Sequence, residues 1–335
     1  MKRSSEDGFE IGGTRIDAGE RASVRIRVAR LPAGGWLSLP VHVIRGASTG
    51  PTLFLSGAIH GDEVDGVEIT RQVLLHLAPE RLAGTLLAAP VVNLPGLLAG
   101  SRYLPDRRDL NRAFPGSATG SVAARLAHLF MTEVVERCSH GIDYHCGSDD
   151  RENLPQVRAD LDDDETRRLA RAFAAPITIH APAPEGSLRR AAVDRGTRVI
   201  LYEAGEARRF TKAAVRAGVA GTLNVMAALG MVEATAAAPG GSAAGGRVPT
   251  VESRQRRWVR AARSGLCRID VDLGERVEEG QVLGEVTGPL GGETVAVRSR
   301  ASGLVIGRRI NPVVFQGEAL VHIAVLTEDL PATGV

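Results

Sequence analysis

Apolar and polar residues alternate with period two early in the chain. Residues 21–29 and 37–44 therefore read as strands, each with one buried face, joined by a turn at 31–35. Pro40 inside the second run argues for an edge position or a bulge. The pattern then becomes a continuous apolar run over 51–59, as expected of a strand buried on both faces. Helical spacing follows over 64–77, with apolar residues at 64, 67, 69, 74, 75 and 77, and another apolar run over 86–92. Strand, helix and strand in so short a span predict a βαβ unit.

Residues 94–120 are rich in turn formers and charge and read as a long functional loop. Residues 121–137 have helical periodicity, with Ser121 placed as N-cap, and 141–144 form a short strand ending at His145. A polar loop is expected over 149–160. A helix follows over 162–174, then strands over 177–180 and 198–202 and a long helix over 211–229. Beyond a Gly- and Ala-rich stretch at 235–246 the chain breaks into short apolar pieces separated by glycines, the pattern of a compact β module. The expected division is an N-terminal β segment (1–50) packing on the main sheet or on the C-terminal β module, an α/β domain (51–235), a linker or loop (236–256) and a small all-β domain (257–330).

Composition narrows the function classes. With 41 basic and 39 acidic residues the chain has no field suited to nucleic acid or an anionic membrane. No run reaches the ~20 apolar residues that span a bilayer, and the N-terminus has no signal-like apolar core. Three scattered cysteines suit a reducing compartment, so a cytoplasmic protein is expected. A homo-oligomer is compatible with this reading.

The candidate chemistry starts at His60-Gly61-Asp62-Glu63, just past the apolar strand. A single His-x-x-Glu often marks only a solvated turn. After a strand, however, it has the spacing of a zinc-ligand pair, and a catalytic zinc needs three protein ligands. His145, ending another strand, is the third candidate, because parallel strands bring their carboxyl ends together. Asp143 is placed to orient it, and His140 is the spare; His42, His76, His128, His180 and His322 sit inside strand or helix patterns. A general base is expected at Glu203 or Glu206, with Glu203 favoured because it directly follows a strand. Arg102, Asn111 and Arg112 in the charged loop suit a substrate carboxylate or a developing oxyanion, whereas Arg107 and Arg108 read as surface charge.

Three runs together resemble the succinylglutamate desuccinylase/aspartoacylase family of zinc carboxypeptidase-like hydrolases: residues 57–63, residues 109–116 with their Asn-Arg-x-Phe-Pro-Gly core, and Asp143-Tyr144-His145. The resemblance covers about 50–230. It implies an α/β fold, with a mixed central sheet flanked by helices and a smaller all-β barrel-sandwich domain. It implies Zn(2+) held by His60, Glu63 and His145, a water-activating Glu203, and Arg102, Asn111 and Arg112 at the substrate carboxylate and oxyanion. The implied activity is deacylation of an N-acylated amino acid or similar small substrate carrying a carboxylate. The alternatives are a metallocarboxypeptidase and a non-catalytic zinc or ligand-binding protein of the same fold. Residues 271–284 resemble a biotinyl/lipoyl-like barrel, but 295–303 contain no lysine to modify, so no attached cofactor is expected. Cys146 follows the third ligand where the family commonly has a small polar residue, Tyr144 stands where Leu is frequent, and Glu203-Ala204-Gly205-Glu206 replaces the usual Glu-x-Gly-Gly.

Overall fold

The computed structural model describes residues 8–148, 150–233 and 250–326. The expected linker at 236–256 therefore lies, over 236–249, outside the described residues. At the centre run three parallel neighbours, Ser48–Ser56, His140–Gly147 and Arg198–Glu206. Leu53, Phe54 and Leu55 are all fully buried, as a strand covered on both faces requires. Side-chain alternation sends Phe54 to one apolar layer, with Leu126, Phe130 and Val199. Leu53 and Leu55 go to the other, with Ile69, Val73, Phe173, Leu223 and Met226. Helix Val122–Glu133 covers the first face; helices Asp65–His76, Asp164–Phe173 and Lys212–Ala228 cover the second.

The sheet is mixed and has thirteen strands among the described residues. On one side of the parallel centre come Ala83–Ala89 (parallel), then Trp36–Arg45 and Arg21–Arg30 (both antiparallel). On the other side Arg151–Ala159 runs antiparallel to Arg198–Glu206 and is followed by Gly303–Arg309, Ala319–Val325 and Gln255–Arg260. The N-terminal strands and the C-terminal strands thus sit at opposite ends of one sheet. A separate four-stranded sheet, built from Thr294–Arg298, Val282–Thr287, Gly265–Ile269 and Val313–Val314, belongs to the smaller β-rich part. Its core contains Leu283, Val286 and Val297 with Val305, Leu320 and Ile323.

Three local expectations need correction. Residues 149–160 are not a polar loop: Arg151–Ala159 is an interior strand. Its polar residues point into a polar cleft and a domain seam instead of solvent. Asn153 bonds Glu203, and Gln156 Nε2 donates to the Ile306 carbonyl at 3.0 Å. The loop at 94–120 contains a helix, Leu94–Ala99, capped by the Asn93 side chain, and a short 3-10 turn at Leu110–Arg112 capped by Asp109. Helix 121–137 stops as an α-helix at Glu133, and its last turn is 3-10. Two readings fit as they stand. Ser121 caps its helix by accepting from the Ala124 amide. Pro40 lies where its strand pairs only with Arg25, because pairing on the other side covers only 42–45.

Candidate metal centre and active site

The three central strands end side by side, and that crevice holds the chemistry. After Ser56 the chain turns through 57–63 and starts the helix at Asp65. The turn is pressed against the Leu94–Ala99 helix: a Cβ at Gly61 would lie 1.9 Å from the Gly96 carbonyl carbon, so only glycine fits there. This contact fixes His60 and Glu63 on either side of it. On the neighbouring strands Glu203 stands in register opposite His145.

His60, Glu63 and His145 converge, each offering one donor atom within 4.8 Å of the others, and all three are buried. The Glu63 carboxylate lies between the two rings, with Oε1 2.8 Å from His60 Nδ1 and Oε2 2.8 Å from His145 Nδ1. The far nitrogen of each ring meets a second carboxylate: His60 Nε2 is 3.2 Å from Asp109 Oδ1, and His145 Nε2 is 2.9 Å from Asp143 Oδ2. Asp143 is itself held by the Ser56 hydroxyl at 2.7 Å. Two nitrogens and a carboxylate facing inward, with each imidazole oriented from behind by a carboxylate, is the donor set and support that a zinc ion requires. The cluster is therefore consistent with a zinc-binding site. Burial acts against charge on each member, but the cluster overrides it: the two histidines are raised by Glu63 together with Asp109 or Asp143, and Glu63 is lowered by both rings.

The remaining expected residues line the same cavity, of ≈ 280 Å³. Glu203 Oε1 accepts from Asn153 Nδ2 at 2.8 Å and Oε2 pairs with Arg158 Nη1 at 2.9 Å. Glu206 does not line the cavity and pairs with Arg209. Arg102 reaches the metal cluster: Nη1 is 3.4 Å from Glu63 Oε1 and 3.1 Å from Ser148 Oγ, while Nη2 holds Asp109 at 2.9 Å. Asn111 Oδ1 accepts the Leu188 amide, and Arg112 Nη1 donates to the Asn111 carbonyl, leaving both on the cavity wall. His140 lies at the opposite end of its strand, bonded to Glu165. Cys146 is a buried thiol pushed well up by burial, then by Glu63; its amide donates to Glu63 Oε2. A second cluster, Asp160, Asp162 and His180, is exposed at its carboxylates and already engaged by Arg254 and the Leu161 amide.

Asn153, Arg158, Arg189, Arg256 and Trp258 also line the cavity, and sequence reasoning missed them. The misread strand hid the first two. Arg189 belongs to a short helix, Leu188–Val193, that had no expected counterpart. Arg256 and Trp258 come from the strand Gln255–Arg260, far along the chain, whose Gln-Arg-Arg-Trp-Val-Arg sequence has no period-two alternation to mark it.

Trp258 is held by His322, whose ring stacks on it with centroids 4.0 Å apart and planes within 6°. Both ring nitrogens of His322 are buried without a hydrogen-bond partner among the described residues. Burial, then Arg158, Arg256 and Arg151, hold its pKa down to about 3 from 6.5. The folded protein thus takes up this proton at lower pH than the unfolded chain. The resulting stability is complete above 6.5 and is lost as pH falls toward 3, by ~1.4 kcal/mol per unit. His322→Phe keeps the stack and removes the titration. Between pH 7 and 5 the variant should lose less stability than wild type by on the order of 1–2 kcal/mol in denaturant titrations; equal losses would mean that the ring is charged in the folded protein.

A family model described as the succinylglutamate desuccinylase/aspartoacylase catalytic domain matches residues 49–229. An N-alpha-acetyl-L-2,4-diaminobutyric acid deacetylase from Halomonas elongata is 29% identical over 308 residues, covering 89% of each chain. A succinylglutamate desuccinylase/aspartoacylase structure from Rhodobacter sphaeroides superposes with a TM-score of 0.82 at 26% identity, covering 92% of this chain and 98% of the other. The product-bound ectoine utilization protein EutE (DoeB) from Ruegeria pomeroyi shares the fold, with a TM-score of 0.82 at 24% identity over 96% of this chain and all of its own.

Proposed function

The chain belongs to the succinylglutamate desuccinylase/aspartoacylase family, and from that premise we propose that it removes the acyl group from an N-acylated amino acid. Family and metal cluster together support zinc-dependent hydrolysis of an amide bond in a small N-acylated substrate. The observation that carries the finer reading is the facing pair of groups: a buried His60–Glu63–His145 donor set, with the Glu203 carboxylate opening onto the same cavity. The ≈ 280 Å³ of that cavity suit a small acylated amino acid better than a polypeptide.

In this reading His60, Glu63 and His145 hold zinc, with Asp109 and Asp143 fixing the two rings from behind. Bound there, zinc would polarise the scissile carbonyl and acidify a water molecule. Glu203, steadied by Asn153 and Arg158, takes a proton from the attacking water and returns it to the leaving amine. Arg112 and Asn111 hold the substrate carboxylate; Arg102, anchored by Asp109, holds negative charge that develops near Glu63. We further read the four-stranded sheet and strands 255–260, 303–309 and 319–325 as the two halves of a barrel-sandwich domain, supported by their shared apolar core. We keep the expected domain division except at the end of the linker, where Val251–Ser253 and Gln255–Arg260 are strands, and Arg256 and Trp258 give the C-terminal β part a share of the cleft wall. A cytoplasmic setting is supported by the free thiols of Cys138, Cys146 and Cys267. Among the described residues no helix is long and apolar enough to cross a membrane.

The test is zinc content of the purified protein, alongside hydrolysis of a panel of Nα-acyl amino acids and of short peptides. The panel includes Nα-acetyl-2,4-diaminobutyric acid, the compound in the name of the Halomonas relative. One zinc per chain with deacylation is the expected result. Faster release of C-terminal residues from peptides would favour the carboxypeptidase reading. Protein that takes up no zinc on reconstitution would overturn both.

A further inference from the structure

The strand that carries the proposed base does not hold it by ladder pairing alone. Arg198–Glu206 keeps register with His140–Gly147 up to Glu203, then slips before Glu206 meets Gly147. Against Arg151–Ala159 the register slips again, between Glu203 and Gly205. Irregular pairing on both sides releases the backbone just past Glu203 from the regular ladder, and such places re-aim side chains. Gly205, at φ +69°, turns the chain away, and the chain returns at Thr211 to start helix Lys212–Ala228.

This segment leans on the turn that carries Glu63. The Asp62 carbonyl accepts from the Arg208 amide at 2.8 Å, with Arg208 itself at φ +66°, a conformation that costs a non-glycine residue energy. Asp65 Oδ1 accepts from the Thr211 amide at 2.8 Å. The other oxygen of that carboxylate faces Gly205: a Cβ there would lie 2.4 Å from Asp65 Oδ2 and 2.7 Å from Thr211 Oγ1. One side chain therefore meets both ends of the segment 205–211. Asp65 opens helix Asp65–His76, two positions after Glu63, and is 2% exposed. An aspartate serving only the dipole of its own helix would keep its charge in water. Here Oδ2 is buried without a hydrogen-bond partner among the described residues, a placement that costs the fold stability. Asp65 neither lines the cavity nor belongs to a donor set, so its reach toward the chemistry runs through the Gly205 backbone.

We infer that Asp65 is a positioning residue for Glu203: its carboxylate fixes the backbone at Gly205 against the Glu63 turn and so sets the distance from the base to the His60–Glu63–His145 set. This rests on the deacylase reading and deepens it. Loss of Asp65 moves Glu203 while leaving every group that binds zinc or substrate in the chain. Proton transfer needs hydrogen-bond reach, and a displacement of ~1 Å costs about a hundredfold in rate.

A double-mutant cycle on the zinc-loaded full chain tests this, with the Nα-acyl amino acid that the wild type hydrolyses fastest. Asp65→Ala should lower kcat about ten- to hundredfold, with KM within about twofold and one zinc per chain. In the Glu203→Gln background the same substitution should cost less than about twofold, because no base is left to misplace. Asp65→Asn keeps an acceptor for the Thr211 amide and should recover kcat to within about threefold of wild type. Ser121→Ala loses the cap of a helix on the other face of the sheet and should leave kcat unchanged, which controls for destabilisation alone. If Asp65→Ala does not fold, Thr211→Pro removes the same hydrogen bond from its other side and takes its place in the cycle, proline being accepted at a helix start. Equal fold-losses in the two Glu203 backgrounds, loss of zinc, an Asp65→Asn no better than Asp65→Ala, or an unchanged kcat in the folded variant would overturn the positioning role. Faster hydrolysis of peptides than of acylated amino acids overturns the deacylase reading instead, and the same cycle run on a peptide still decides the role of Asp65. No hydrolysis of either class overturns both.

Discussion

Exchanging Glu203 for glutamine will lower kcat by roughly 10²–10⁴-fold while bound zinc stays at one per chain. Glu203 stands in register with His145 on the adjacent parallel strand, so its carboxylate opens beside the metal donors without belonging to them. Glutamine keeps the side-chain shape and the contact from Asn153, but it cannot take a proton. A loss confined to kcat, at unchanged KM and zinc content, is the expected signature of a lost proton-transfer group. A rise in KM at constant kcat would instead make Glu203 a binding residue. The control is Glu206→Gln: that carboxylate pairs with Arg209 outside the cavity, and its exchange should change kcat by less than about threefold.

How far the sequence reached into this site follows from where the signals lie. His60, Glu63 and His145 were legible because each sits at the carboxyl end of an apolar run, and the rule for parallel sheets brings such ends together. The choice of Glu203 over Glu206 used the same rule. What stayed hidden were residues whose environment inverts the usual code. Strand Arg151–Ala159 carries Arg151, Asn153, Gln156 and Arg158, and such a run reads as solvent-exposed. In the protein Gln156 is fully buried, and its Nε2 donates to the backbone carbonyl of Ile306, 150 residues away. Partners that distant leave no local trace in the sequence.

The same contrast runs through the fold. The period-two strand at 21–29 and the helices at 162–174 and 211–229 came from local periodicity, and the structure has elements at Arg21–Arg30, Asp164–Phe173 and Lys212–Ala228. Which strands meet was a different question. The pairing of Gly307 with Asn153 and of Arg309 with Arg151 carries the β-rich C-terminal strands into the main sheet. That junction brings Arg256 and Trp258 to the cavity. It is decided by burial of Ile306 and Leu304 against Ile177 and Ile179, four apolar residues of two short strands whose own sequences do not say which strands they meet.

His145→Ala will abolish stoichiometric zinc and reduce activity to background, and Asp143→Asn will weaken zinc by about 10–100-fold while leaving it able to bind. The gap between the two variants is the informative quantity. His145 supplies a donor facing Glu63 at 2.8 Å, whereas Asp143 acts one step behind, on the far nitrogen at 2.9 Å. Loss of the ring removes a donor from the set and leaves Glu63, 2% exposed, with one imidazole where it had two. Loss of the Asp143 charge only frees the ring to turn and lowers its basicity. Chelator competition at constant pH measures both affinities, and unfolding curves taken with and without added zinc separate a lost ligand from a lost fold. Full zinc uptake by a folded His145→Ala would show that the ion is held by another donor set. Equal weakening by the two variants would mean that His145 supports the site from outside instead of holding the metal itself. With the expected ordering, the carboxylate behind each ring becomes part of how this chain tunes its metal, and Asp109 behind His60 should follow Asp143 in size of effect.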